Sequence, residues 1–194
     1  MPCGKFLVQY VVSLPKPLLR SFYQRDTLQV ARSLIGCVLH YGALSGVITE
    51  TEGYLGPNDD AAHSAKGRTP RTEVLFGPAG YSYVYLIYGM WNCLNVVTEG
   101  EGEAVLIRAV EPLSGVDLMR ERRGRHPLAD GPGKLCQAFG ITRTDSGRDI
   151  TCGDLYISER IEDMPIEATP RIGIDYATRC KDELWRFVGQ PTRK

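Results

Sequence analysis

Two glutamates separated by one residue pose the first chemical question. In Val47-Ile-Thr-Glu-Thr-Glu52, β-branched residues and period-2 alternation predict a strand. Alternation would place Ile48, Glu50 and Glu52 on one face and Val47, Thr49 and Thr51 on the other. Two carboxylates ~7 Å apart on one strand face repel, so at least one should resist ionisation unless a cation lies close. The strand is expected to break at Gly53, and Gly56-Pro-Asn-Asp59 is turn chemistry. A rigid strand handing over to a loop is a favoured place for function, because the strand fixes a side chain that the loop exposes. Here that junction carries Glu52, Tyr54 and, beyond the turn, His63.

Arg108 sits inside Val105-Leu-Ile-Arg-Ala-Val110, flanked by apolar residues on a central-looking strand. A buried arginine cannot shed its charge, so it needs a carboxylate or several carbonyls. It forms either a structural ion pair with any acid or a pair with Glu52 across the sheet. In the second case Glu52 stays ionised beside a held water, which is a general base for hydrolysis. Tyr81, Tyr83 and Tyr85 alternate on one strand face, which is ordinary packing for aromatic residues. Tyr88 differs, because it stands at a Tyr-Gly break. From there a ring can project and wedge between stacked bases, or join other rings in clamping a planar ligand.

A carboxylate–histidine metal site is the competing chemistry, drawing on Glu50, Glu52, Asp59, Asp60 and His63. Its spacing matches no standard metal motif, and a neutral stacking or hydrogen-bonding ring is the other reading of His63. No metal and no cofactor are expected. Gly131-Pro-Gly-Lys134 offers backbone N–H groups ahead of a helix, a phosphate seat or simply a helix start. It lacks the Walker spacing. Arg120-Glu-Arg-Arg-Gly-Arg125 is locally basic, either a solvated helix end or part of a polyanion surface.

These residues need elements to hold them. Asp26-Thr27 caps a helix through Ile35 that Gly36 stops. Cys37 to Tyr41 and Leu44 to Glu52 read as a hairpin around Gly42. Tyr81 to Ile87, Cys93 to Val97 and Ala104 to Val110 read as strands, and Pro112 as the start of a helix to about Arg122. Leu155 to Ser158, Arg171 to Ile174 and Trp185 to Val188 are further strand candidates. Many strands and few helices predict an α+β single domain with a curved, mainly antiparallel sheet flanked by helices.

The 194 residues suffice for a sizeable core, and 43% hydrophobic with 24% charged content is that of a globular chain. Zero net charge gives no global pull on nucleic acid, so any basic surface must be local. Six cysteines without a C-x-x-C pair point to reduced thiols in an intracellular protein. No apolar run approaches the ~20 residues of a membrane span. Phe6 to Leu14 is apolar but short, and a loosely held arm or start-site extension is expected over residues 1–17.

Four stretches in order carry a resemblance. They are Glu50-Thr-Glu-Gly-Tyr-Leu-Gly-Pro-Asn-Asp-Asp-Ala-Ala-His-Ser64, Tyr83-Val-Tyr-Leu-Ile-Tyr-Gly-Met90, Val105-Leu-Ile-Arg-Ala-Val-Glu-Pro112 and Gly131-Pro-Gly-Lys-Leu-Cys-Gln-Ala138. Together they resemble the alkyladenine DNA glycosylase family, the 3-methyladenine or methylpurine type, from about Leu19 to Val188, so that residues 18–194 would form its domain. The resemblance implies an enzyme that cuts the N-glycosidic bond of damaged purines in duplex DNA. Glu52 would be the general base, with Arg108 and the backbone carbonyl of Ile172 helping to hold its water. Tyr54, His63 and Tyr85 would sandwich the extruded base, Asn95 would guard the pocket floor against the amino group of guanine, and Tyr88 would fill the gap left in the helix. Gly53 beside the acid, Leu75, and Trp91-Asn92 after the wedge depart from the family pattern.

Extrusion is required because a stacked base cannot be reached. An alkylated purine is cationic, and tyrosine faces favour it by ~0.5–2 kcal/mol. The pocket motifs hold no lysine placed to form an imine, which implies a monofunctional glycosylase. Lys66, Arg68, Arg71, Arg120, Arg122, Arg123 and Lys134 are the candidates for holding the DNA backbone. Damaged double-stranded DNA is the expected partner, with no membrane and a monomer as the working state. The expected location is on DNA, in the nucleoid of a bacterium or the nucleus of a eukaryote. A metal-dependent hydrolase and a catalytically silent damage sensor are the competing functions.

Overall fold

The computed structural model describes residues 15–190, so most of the expected N-terminal arm, Phe6 to Leu14 included, and Cys3 lie outside the described residues. One curled, antiparallel sheet organises the chain. Its strands are β1 (Val38–Tyr41), β2 (Leu44–Leu55), β3 (Ser82–Ile87), β4 (Trp91–Val97), β5 (Glu103–Ser114), β6 (Leu155–Ser158), β7 (Ile166–Thr169) and β8 (Arg186–Gly189). The main path runs β3-β4-β5-β2-β1-β6, and β8 joins the far half of β2 and carries β7. The α-helices are α1 (Arg20–Tyr23), α2 (Thr27–Ser33), α3 (Val116–Arg123) and α4 (Pro132–Phe139). The α+β expectation holds.

Period-2 alternation divides the central strands between two tasks. Val84, Leu94, Val96, Val105 and Ile107 enter the main core together with Val30 of α2, Leu34 just after it, and Leu135 and Phe139 of α4. Their alternates Tyr83, Tyr85, Asn95, Leu106 and Arg108 turn to the opposite face and line a cleft. The helix α2 begins where expected, with the Asp26 carboxylate accepting from Gln29 N. It packs on β2, where Thr51 Oγ1 donates to the Ala31 carbonyl.

Strand β2 departs from strict alternation. Its register against β5 shifts between Ile48 and Glu50 and again between Glu50 and Thr51. Ile48 is wholly buried in the main core, whereas Glu50 and Glu52 both meet Arg108. Such bulges re-aim side chains beside functional sites. Gly53 does not end the strand, which continues to Leu55. A Cβ at Gly53 would lie 2.6 Å from Leu28 Cδ2, so glycine there lets α2 approach β2 closely.

Two other expectations are corrected. Pro112 starts no helix. It stays in β5 opposite Gly46, at a register shift where a proline costs no regular ladder bond, and α3 begins after left-handed Gly115. Arg171 to Ile174 forms no strand. The second outer strand is β7, and residues 171–174 form a turn over the end of β2. Neither change alters the fold class.

Candidate active site

The cleft holds about 730 Å³, inside the range of roughly 300–1,000 Å³ usual for small-ligand sites. It is lined by Tyr54 from β2, His63 and Ser64 from the turn after it, Tyr83 and Tyr85 from β3 and Asn95 from β4. Leu106 and Arg108 from β5 and the 172–176 loop complete the wall. Glu52 is wholly buried just behind that wall. Tyr54 Oη donates to its Oε2 at 2.9 Å, Arg108 Nη1 to Oε2 at 3.1 Å, and the Ile172 N–H to Oε1 at 2.8 Å. All three donor residues line the cleft. A carboxylate offers about four acceptor positions, so one remains on Oε1. The expectation for Ile172 concerned its carbonyl and a water; the group that meets the acid itself is the amide N–H of that residue.

Arg108 spans both acids of β2, with Nε donating to Glu50 Oε1 at 2.7 Å. Arg186 donates to the same Glu50 oxygen and to Thr169 Oγ1. The four side chains alternate in charge, which answers the repulsion expected between the glutamates. Burial works against the Arg108 charge, but Glu52 and Glu50 outweigh it and hold its pKa above the ordinary arginine value.

The ring-bearing part of the cleft is neutral. Burial, and then the charge of Glu52, push Tyr54 well above the usual phenol value. Burial does the same for Tyr85. The His63 ring meets Tyr85 edge-on at 4.2 Å, and its Nδ1 lies 3.1 Å from Tyr83 Oη. Burial, helped by the charge of Arg71, lowers His63 to about 4, so its ring is uncharged at neutral pH. Asn95 uses its amide nitrogen on the carbonyls of Tyr83 and Cys93, at 3.1 and 3.4 Å. Its oxygen is thereby left as the acceptor it can offer to the cleft.

Tyr88 is 82% exposed at the tip of the β3–β4 hairpin and lines the mouth of the cleft. Its φ of 53° is the one left-handed non-glycine conformation among the described residues. A bulky residue held there carries ~1–3 kcal/mol of strain, a cost found at functional positions.

The expected cationic surface is brought together in part. Lys66, Arg68 and Arg71 are exposed on the loop beside the cleft, with Arg68 paired to Glu73 at 3.1 Å and Arg71 over the Tyr85 ring at 5.9 Å. Arg120 is exposed and pairs with Asp117 on its own helix. Arg122, exposed, and Arg123, buried at the cleft wall, already serve other groups of the chain. Arg122 donates to the last carbonyls of α4, and buried Arg123 donates to Gln137 Oε1 and to the Pro127 carbonyl. Lys134, one of the named phosphate candidates, lines the cleft and forms an ion pair with Asp130 at 2.8 Å. Arg125, exposed at the cleft and without an ion pair among the described residues, belonged to the basic segment read in the sequence but not to the named phosphate candidates.

Metal-ligand chemistry finds little support in the donor set. Among the described residues the potential ligand group is Asp59, Asp60 and Cys180, without His63. Asp59 accepts two bonds from Arg171 and one each from Leu55 N and Ala61 N. Asp60 accepts from the backbone of Thr178, Arg179 and Cys180 and from the Thr178 hydroxyl. Both carboxylates are fully engaged.

Sequence reasoning missed Arg171, Arg186 and Tyr83. Arg186 lay within the strand candidate Trp185 to Val188, between apolar neighbours as Arg108 is, but its partner Glu50 is 136 residues away and no local pattern joins them. Arg171 follows Pro170 in a stretch read as a strand, and its partner is 112 residues away.

Comparison with known proteins agrees with this geometry. Residues 21–193 match the family model for methylpurine-DNA glycosylase. A relative from Methanocella arvoryzae is 49% identical over 179 residues, covering 87% of this chain and 90% of its own length. Others from Clostridium acetobutylicum and Legionella pneumophila are 47% and 48% identical, over 88% and 89% of this chain and 92% and 93% of their own. Each bears the name "Putative 3-methyladenine DNA glycosylase". The chain, whose cleft joins a buried glutamate to a wall of aromatic rings, belongs to the methylpurine-DNA glycosylase family.

Proposed function

We propose that this DNA glycosylase hydrolyses the N-glycosidic bond of alkylated or deaminated purines, 3-methyladenine, 7-methylguanine, hypoxanthine and ethenoadenine among them, after they swing out of duplex DNA. The observation that carries the reading is Glu52, buried with three donors and one free acceptor position at the wall of a ring-lined cleft. As the bond from sugar carbon to purine nitrogen breaks, the sugar gains oxocarbenium character and the base leaves with the electron pair. A water oxygen bonds to that carbon and gives its proton to Glu52, as in other glycoside hydrolysis. An alkylated purine leaves readily because it departs neutral. A neutral purine needs a proton, and neutral His63 offers no acid of ordinary strength for it.

Tyr54, His63 and Tyr85 support the reading as walls for a planar base, and the Asn95 oxygen as a hydrogen-bond acceptor on the floor. Tyr88 supports it as the ring that enters the stack, partly offsetting an extrusion cost of a few kcal/mol. Lys66, Arg68, Arg71, Arg120, Arg125 and Lys134 are proposed to meet phosphates. Lys134 is assigned to phosphate and no imine-forming nucleophile is assigned at Glu52, so the proposed products are free base and an intact abasic strand, made by a monomer without a metal.

The test is a duplex with one hypoxanthine or one alkylated purine, incubated with the protein and a chelator. Released base and strand breaks that appear only after alkali are expected. Breaks before alkali, or a borohydride-trapped covalent adduct, would refute the monofunctional assignment. Loss of release on chelation would favour the metal hydrolase instead.

A further inference from the structure

The turn that delivers the Ile172 amide to Glu52 has little backbone support of its own. Among the described residues, 171–173 make no backbone-to-backbone hydrogen bond, and the first one in this loop joins Ala177 N to the Ile174 carbonyl. What anchors the turn is the side chain of Arg171. That guanidinium and its partner Asp59 both have side chains with no solvent exposure, and they meet in two parallel bonds of 2.5 and 2.8 Å. The same guanidinium donates to the carbonyl of Gly53, the residue after Glu52, at 3.0 Å. Its faces are covered by the rings of Tyr54 at 4.6 Å and Trp185 at 4.9 Å.

One buried fork therefore fixes three parts of the acid's surroundings: the backbone beside Glu52, the ring whose hydroxyl bonds Oε2, and the amide that bonds Oε1. Resting on the glycosylase reading above, we infer that Arg171, locked by Asp59, is a positioning residue that sets the Tyr54 hydroxyl and the Ile172 amide on Glu52. It touches neither base nor water. Its part is to keep the remaining acceptor of Oε1 aimed at the cleft, and a misplacement of about 1 Å at such a group costs ~100-fold in rate. The planar fork is what the geometry needs. A lysine at 171 keeps the charge opposite Asp59 but cannot form the parallel pair, reach Gly53 and fill the space between two rings together.

The test compares the parent chain with Arg171→Lys and Asp59→Asn on the full protein. Thermal unfolding reports folding, lesion-duplex titration reports binding, and single-turnover base release at saturating protein reports chemistry. A merely structural pair would lower the unfolding midpoint and leave the release rate of the folded protein untouched. The expected result is binding within about threefold of the parent and release slowed on the order of 100-fold in each variant. The double variant should be no slower than the slower single one, because both remove one device. A folded Arg171→Lys releasing base within about threefold of the parent overturns the inference. Should both variants fail to fold, Trp185→Leu answers the same question. It strips one ring from the Arg171 guanidinium while leaving the ion pair with Asp59 in place. Release slowed about tenfold then supports the inference, and a parental rate overturns it. A parent chain that releases no base defeats the glycosylase reading and this inference together, whereas an active parent beside an unimpaired variant defeats this inference alone.

Discussion

Burying a carboxylate costs several kcal/mol unless donors replace its water, and the Tyr54 hydroxyl, Arg108 guanidinium and Ile172 amide do so for Glu52. Those donors also orient it, so its free acceptor direction is fixed before any substrate arrives. Glu52→Asp should retract the carboxylate by one methylene from the Ile172 amide. Base release is expected to fall ~100-fold, with binding little changed. At His63 the expectation concerns stability. The folded ring titrates at about 4 against an ordinary 6.5, because burial and Arg71 disfavour its charge. Between those values the unfolded chain binds a proton that the folded chain refuses, so stability falls as pH falls through that window. His63→Gln should flatten this part of the profile of unfolding midpoints between pH 4 and 7. An equally steep decline in the variant would show that other groups set it.

The β3–β4 hairpin shows function and stability pulling apart within one element. Ile87 pairs with Trp91, and Tyr88 and Gly89 turn the chain with φ of 53° and 71°. Glycine at 88 would relieve strain while adding chain entropy to the unfolded state, two opposing effects, so Tyr88→Gly should leave stability unchanged or raise it by up to ~1 kcal/mol. The same change should slow excision of a paired lesion more than of a mispaired one, because only the former needs a ring to hold the stack open. A marked drop in unfolding midpoint would contradict this account of the turn. The hairpin and its projecting tyrosine were legible in the sequence because alternation, a Tyr-Gly break and a second strand lie within seventeen residues of one another, from Tyr81 to Val97. So were α2 with its Asp26 cap and the hairpin of β1 and β2. The β2 bulge was not legible, since it answers to the register of β5. Nor was the strand character of Pro112, where local helix-start chemistry lost to pairing with Gly46. Asp59 and Arg171 meet through the whole fold, which no local pattern encodes.

Across the whole molecule, zero net charge leaves the proposed DNA contacts to local cations at and beside the cleft. Binding should weaken with salt by ~0.9 in the logarithmic slope per phosphate contact. Lys66→Ala and Arg125→Ala should each reduce that slope by ~1. Arg122→Ala should lower the unfolding midpoint and leave the slope alone, because its guanidinium already serves the carbonyls of Ala138 and Phe139. A slope that changes for Arg122 and not for Lys66 would mean the DNA track runs along α3 instead. The sheet brings the hairpin tip and the wall in front of the buried acid to one cleft, and the acid is the part on which the proposed reaction depends. The most direct measurement is single-turnover base release from a duplex with one hypoxanthine, at saturating protein, for the parent and Glu52→Gln. The account expects equal binding and a rate lower by ~100-fold or more in the variant, the usual contribution of a general base. Release at the parental rate by Glu52→Gln would contradict it.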